Sequence, residues 1–276
     1  MSIDSSAVID PAAEIEGGVT IGPFCVVRGP VRIGAGSVLH ERASVHAGRG
    51  GRTVLGRDCQ VGPGALVGGA PQHLAADPEV GWCVLEDGVV VREGASVHRA
   101  TKPGEPLATR VGRGSFLMGA THVAHDCVLA DAVILANGAL LGGHCTIGTK
   151  AFLGGGCTIH QHVRVGRLAI IAGNEAVSQD VPPFAAVRYG RIKAYNAVGC
   201  RRAGVAADEA RAIRAFYHRL AAAASPRLMA ERVAADPGAP HAWRELADFI
   251  LASRRGLVPS RRAPAGTAAE HAEVDA

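Results

Sequence analysis

Residues 111–182 read, in blocks of six, VGRGSF LMGATH VAHDCV LADAVI LANGAL LGGHCT IGTKAF LGGGCT IHQHVR VGRLAI IAGNEA VSQDVP. Every block, from Val111 to Val177, opens with Val, Leu or Ile; the second residue is usually Gly or Ala, and the fifth is usually small. Unbroken repetition at period six is the signature of a parallel β-helix, each hexad giving one short strand and a turn. Three hexads close one triangular coil, so positions three hexads apart stack along the axis. The expected fold is an all-β solenoid plus α: a left-handed parallel β-helix of hexapeptide repeats with a C-terminal helical domain.

Outward from this run, the same period reaches back through Ile9, Ile15, Ile21, Val27, Ile33, Leu39 and Val45. It breaks at HAGRGGRTV (46–54), where a four-residue excess predicts a loop bulging from one corner, and resumes at Leu55, Val61 and Val67. GGAPQHLAADPEVGWC (68–83) is polar and turn-rich. Leu85 follows Val67 by three hexads, which predicts a projecting loop that spends one coil's length and keeps the register. Leu85, Val91 and Val97 continue the pattern, and HRATKPGEPLATR (98–110) is a further insertion. The β-helix domain is expected over 1–185, with loop insertions near 68–84 and 99–110. Such loops gather on one face of a solenoid and carry function.

Downstream, Pro182 and Pro183 cannot donate to a ladder, so the coils are expected to end there. RYGRIKAYNAVGCRR (188–202) reads as a basic linker. Helical spacing over 206–224 places Ala210, Ile213, Phe216, Tyr217 and Leu220 on one face. Asp208 and Glu209 suit the start of that helix and Arg219 its end. Helices over 226–235 and from His241, the last presenting Trp243, Leu246, Ala247 and Ile250, complete a helical domain over 186–258. Residues 259–276, rich in Pro, Ala and charge, are expected to be disordered.

The chain has 276 residues, 36 of them Gly, and a formal charge of +4. Glycine and few aromatics suit a narrow, tightly turned core. No basic run carries the interleaved aromatics of a nucleic-acid binder, so nucleic acid is not an expected partner. There is no signal-peptide pattern and no apolar run long enough for a transmembrane segment. Five of the seven cysteines (Cys25, Cys59, Cys127, Cys145, Cys157) occupy the small fifth slot, where a free thiol acts as a small hydrophobe. Together these features favour the cytoplasm as the expected location. Apolar surface along the flat sides of a long β-helix favours side-by-side association, often as trimers.

The chemistry concentrates in five histidines: His122, His125, His144, His160 and His162. By the three-hexad spacing, Asp126, His144 and His162 share one column, and His125, Gly143 and Gln161 share the next. A neutral imidazole is a base near physiological pH. Asp126 is placed to orient it, and a backbone N–H at Gly143 to face a developing oxyanion. Three converging imidazoles are also a zinc donor set, so hydration chemistry on a metal stands beside the acid–base reading. No P-loop, dinucleotide fingerprint or serine-nucleophile motif is present.

Several segments carry a resemblance. IGPFCVV, THVAHDC (121–127), GGH (142–144), IHQH (159–162), QDVPPF and DFILASRRGL resemble the acyl-ACP–UDP-N-acetylglucosamine O-acyltransferases that open lipid A biosynthesis, over nearly the whole chain to about Val258. The resemblance implies an acyltransferase that moves a 3-hydroxyacyl group from acyl carrier protein to the sugar 3-hydroxyl of UDP-N-acetylglucosamine. It implies no cofactor and no metal, and a homotrimer with sites between subunits. In that reading His125 is the general base, Asp126 orients it, and the Gly143 amide holds the oxyanion. His122, His144, His160 and Gln161 position sugar and pantetheine. Gly173 leaves room for a long acyl chain, and Asn196, Arg201 and Arg202 meet the nucleotide diphosphate. The arginine-rich C-terminal third, including Arg254 and Arg255, would face the acidic carrier protein. The chain departs from the family in its sugar–nucleotide shell. Gln72 is followed by His73 where an acid is usual, Val198 stands near another acidic position, and Asn174 and Glu175 follow Gly173. A different acceptor, such as a UDP-sugar with a 3-amino group, and a coenzyme-A donor are therefore the alternatives. A non-catalytic scaffold remains a further one.

Overall fold

The computed structural model of the chain describes residues 2–260. Strands of two or three residues recur at each hexad and stack into three parallel faces. In the regular run the register is the expected one: His122 pairs with Leu140 and Leu140 with Thr158 on the second face, Val128 with Thr146 on the third. The opening aliphatic residues point inward, and Leu117, Leu129, Leu135, Leu141, Ile147 and Leu153 are buried almost completely. Burial of each contributes roughly 1.5–3 kcal/mol. Fifth-slot residues fill the space between them. All seven cysteines are free and buried, and Cys127 and Cys145 donate their thiols to the carbonyls of Gly142 and His160, both at 3.2 Å.

The fourth position of the hexad sets the corners. It is left-handed whether Gly occupies it (Gly114, Gly138, Gly156) or not (Ala120, Asp126, Ala132, His144, Lys150, His162). That backbone disfavours most L-residues, while Asp and His are enriched in it. Asp126, His144 and His162, with φ between 59° and 64°, thus project outward from one edge of the prism in register.

The insertions differ from expectation in an informative way. Ile33 pairs with Leu55, Leu55 with Leu85, and Leu85 with Val111, so each of these three turns is longer than a regular coil, the middle one most. Leu85 therefore does not lie one coil above Val67. It sits on the third face and Val67 on the second, so the segment between them is a single corner crossing with a long excursion. The four-residue excess near 46–54 is not a loose loop either. It lengthens a strand, Gly50–Leu55, which pairs along its whole length with Val80–Leu85. Adjacent excursions satisfy each other's backbone groups, which a projecting loop would leave to water. All three insertions cross the corner between the second and third faces. The same corner carries Asp126, His144 and His162 in the coils that follow.

The prolines sit in the last turn without ending the first face. Val181 N donates to Arg164 O and Phe184 N to Arg167 O on either side of them. The supposed linker is then ordered. Ala185–Arg188 pairs with Ile170–Ile171 and turns back antiparallel as Arg191–Tyr195, so the solenoid's sheet runs past residue 185. Helix α1 follows over Ala197–Arg202, then α2 over Ala207–Ala222, α3 over Pro226–Ala234 and α4 over His241–Leu251. The apolar face of α2 buries Ile213, Phe216, Tyr217 and Leu220, as its spacing predicts. Arg167, at a corner of the solenoid, locks α4 in place through Glu245 at 2.6 and 2.8 Å. Of the tail expected over 259–276, Pro259 accepts from Ile192 N; residues 261–276 lie outside the described residues.

Candidate active site

The corner between the second and third faces assembles most of the histidines. His125 is nearly buried, and its Nδ1 meets Asp126 Oδ2 at 2.7 Å. With Asp126 ionised, Nδ1 carries the proton and Nε2 keeps a lone pair for a substrate. Burial opposes the Asp126 charge, but hydrogen bonds from His125 and Thr101 outweigh it and hold the carboxyl below its usual pKa. Asp126 therefore stays a carboxylate across the physiological range.

Gly143 lies against the ring. A Cβ at this position would stand 2.6 Å from His125 Cε1 and 2.8 Å from Nε2, so only glycine fits beneath an imidazole held there. The Gly143 carbonyl accepts from His162 N, while its own N–H has no partner among the described residues. Gln161, next in that column, is exposed.

Further imidazoles surround the pair. His144 meets the His125 ring edge-on at 5.2 Å between centroids, and stacks on His162 at 4.5 Å with the planes 5° apart. His73, on the longest insertion, meets His125 edge-on at 5.6 Å from another side. His122 bonds Ser96 Oγ through Nδ1 at 2.9 Å and lies 5.1 Å from the ring of His98, itself bonded to Ala70 O at 2.7 Å. Burial, reinforced by His98 and His125, pushes His122 down to about 4. Burial likewise lowers His144, with Asp126 opposing the shift. His122 and His144 thus favour the neutral imidazole, able to hydrogen-bond a sugar without adding charge.

Donor atoms of His125, Asp126 and His144 fall within 4.8 Å of one another, near enough to share a cation. Both Asp126 oxygens are, however, already committed, Oδ1 to Thr101 N at 3.1 Å and Oδ2 to His125 and to Thr101 Oγ1 at 3.0 Å. The geometry is that of an imidazole hydrogen-bonded to a carboxylate that Thr101 also holds.

Other expected residues fall elsewhere. His160 is exposed, and its Nδ1 faces Arg255 Nη2 at 3.2 Å, which ties the segment after α4 to this corner. Gln72 is exposed on the insertion, one residue before His73. Gly173 lies at the corner between the first and second faces, where a Cβ would meet Gly155 O at 3.0 Å. Asn196 caps α1, accepting from Gly199 N at 2.9 Å and donating to Leu168 O at 2.8 Å. With Arg202, Lys150 and Val198 it lines a cleft of about 430 Å³ on the first face, opposite the histidine corner. Arg201 and Arg202 are exposed at the end of α1. One chain therefore does not bring Gly173, Asn196, Arg201 or Arg202 to His125.

Sequence reasoning missed Ser96, His98, Arg99, Thr101 and Thr109. The 98–110 insertion contains or borders these residues and breaks the three-hexad spacing across it, so stacking arithmetic could not align them with Asp126 and His122.

Residues 180–258 match the family model "Udp N-acetylglucosamine O-acyltransferase; Domain 2", and residues 3–47 match the bacterial transferase hexapeptide. The chain is 36% identical over 263 residues to an acyl-[acyl-carrier-protein]–UDP-N-acetylglucosamine O-acyltransferase of Paracidovorax citrulli, covering 93% of this chain and 98% of that one. A Synechocystis protein of the same name is 32% identical over 223 residues, 77% of this chain and 79% of its own length. Among solved structures, the UDP-N-acetylglucosamine acyltransferase of Campylobacter jejuni superposes with a TM-score of 0.85 at 31% identity, over 94% of this chain and all of that one. The Acinetobacter baumannii enzyme does so with 0.84 at 32%, over 93% and 99%. The chain belongs to the acyl-[acyl-carrier-protein]–UDP-N-acetylglucosamine O-acyltransferase family.

Proposed function

We propose that the chain transfers a 3-hydroxyacyl group from acyl carrier protein to the 3-hydroxyl of UDP-N-acetylglucosamine, with His125 as general base. The observation that carries this reading is the His125–Asp126 pair at 2.7 Å with Gly143 against the ring. His125 Nε2 takes the proton of the sugar hydroxyl as its oxygen attacks the thioester carbonyl. The Gly143 N–H receives the resulting oxyanion. On collapse the C–S bond breaks, and the imidazolium returns its proton to the departing thiolate. Asp126 stabilises the imidazolium between those two transfers. No metal or other cofactor enters the sequence.

The neutral imidazoles of His122 and His144, with His160 and Gln161, bind sugar and pantetheine oxygens. Gly173 leaves the acyl chain unobstructed. The active unit is a homotrimer, in which the first-face cleft with Asn196 and Arg202 supplies the nucleotide contacts to a neighbour's His125. The opposed placement of these two halves on one chain supports that reading. Among the described residues no helix is long and apolar enough to cross a membrane, which suits a cytoplasmic enzyme meeting a soluble carrier protein.

His73 favours a second reading of the acceptor. An imidazole 5.6 Å from the base, where the family usually has an acid, offers different hydrogen bonding to the sugar. A UDP-sugar bearing a 3-amino group would then yield an amide through the same base. The test is transfer from a 3-hydroxyacyl carrier-protein panel to UDP-N-acetylglucosamine and its 3-amino analogue, with wild type and His125→Ala. Transfer that depends on His125 supports the mechanism, and the preferred acceptor decides between the two products. A folded wild type inert toward both acceptors, or an active His125→Ala, refutes the proposal.

A further inference from the structure

We infer that Thr101 is a positioning residue for this reaction, acting through Asp126. The inference rests on the reading of His125 as the base. Thr101 binds the carboxylate twice, through its backbone N–H to Oδ1 at 3.1 Å and through Oγ1–H to Oδ2 at 3.0 Å. Oδ2 is also the oxygen that accepts from His125 Nδ1. The Thr101 hydroxyl and the imidazole therefore share one acceptor atom, and their two bonds fix the carboxylate's rotation about its Cβ–Cγ bond. At the far end of the same insertion, Thr109 Oγ1 accepts from Asp126 N at 2.8 Å, so both ends of the excursion hold the residue that orients the base.

Thr101 is itself held still. Just before it in the chain, His98 bonds Ala70 O, and Arg99 is buried with its guanidinium on three backbone carbonyls: Gly68 O and Pro78 O at 2.5 Å and Val80 O at 3.3 Å. A buried cation satisfied by carbonyls of one excursion is a rigid tie. Residues 98–101 thus brace the excursion that carries His73 with one end and the catalytic carboxylate with the other. Both contacts reach the site from insertions, while the His125–Asp126 pair belongs to the regular coils.

The chemical consequence has a sign. A hydroxyl donating to Oδ2 withdraws charge from the carboxylate. Removing it makes Oδ2 a stronger acceptor for His125 Nδ1–H, which favours the imidazolium and raises the pH at which the base becomes free. The other titratable groups facing the pair are His73, His144, His98, His122 and the buried Cys127 thiol, all left in place by a change at Thr101.

The test uses the full-length protein with Thr101→Val and Thr101→Ser, and His125→Ala assayed alongside. Val keeps the volume and the backbone bond and deletes only the hydroxyl. Thr101→Val is expected to lose about tenfold or more in kcat, the scale at which outer-shell partners act. KM for both substrates should stay within about twofold. The acid limb of the kcat/KM profile should move to higher pH, and Thr101→Ser should restore both. An unchanged kcat and pH profile in Thr101→Val while His125→Ala is inactive overturns this inference alone. So does a loss that Thr101→Ser shares equally, or one that merely tracks a lowered melting temperature. Activity in His125→Ala overturns the base assignment beneath it.

Discussion

Gly143→Ala separates the role of the His125 ring from the stability of the coil. The backbone tolerates the change, because φ of Gly143 is not in the left-handed region. The added Cβ would lie 2.6 Å from His125 Cε1, 2.8 Å from Nε2 and 3.1 Å from Nδ1. Carbon pairs settle at about 3.5–4.0 Å, so the ring must retreat by about 1 Å. It has little freedom to do so, being tied to Asp126 at 2.7 Å with only 8% of its side chain exposed. A shift of about 1 Å in a reacting group costs about 100-fold in rate, or roughly 3 kcal/mol of barrier. Overpacking adds about 1–3 kcal/mol of lost stability. Gly112→Ala is the control: its Cβ would meet Ala130 C at 2.5 Å at a different corner, so it should lose stability and keep kcat. The assay is steady-state acyl transfer from a 3-hydroxyacyl carrier protein, with urea unfolding of each variant. A Gly143→Ala enzyme with wild-type kcat would refute the reasoning, since the base would then be working from another position.

Three further outcomes are expected. Asp126→Asn should lower kcat by about 10²–10⁴-fold with little change in KM, because the amide cannot stabilise the imidazolium; stopped-time transfer assays check it. Asn196→Ala should cost about 1 kcal/mol in urea unfolding through loss of the α1 cap and its bond to Leu168 O, and a raised KM for the nucleotide sugar without that cost would assign Asn196 to ligand alone. His122, lowered to about 4 in the fold, should stay neutral at pH 5 in spectra of ring-labelled histidine. The unfolded chain, titrating near about 6.5, binds more protons between about 4 and 6.5, so this residue makes stability fall as pH drops through that window. Urea midpoints at pH 7 and pH 5 should show the loss.

Much of the site was written in the period. Once the hexads from Val111 onward are taken three to a coil, the columns Asp126–His144–His162 and His125–Gly143–Gln161 follow, and the structure places them so. The same arithmetic assigned five of the seven cysteines to the core. It could not place Leu85, because its spacing from Val67 suits both a full coil and one corner crossing with an excursion. Nor could it see that Ala185–Arg188 pairs beside Ile170: two prolines and a basic stretch hide a hairpin whose partner strand is a coil away.

The sequence by itself determined the solenoid, the inward and outward residues of each strand, and the adjacency of His125 and Asp126 at one corner. These depend on local repetition, and strand and turn repeat with every hexad. Tertiary structure alone decided which corner gathers the three insertions, that Thr101 and Thr109 grip Asp126 across the insertion, and that His73 reaches His125. It also set Gly173, Asn196 and Arg202 away from His125 on the same chain. The physical reason is that these relations join segments through insertions of unequal length, where hydrogen bonding and close packing, rather than periodicity, fix what lies beside what.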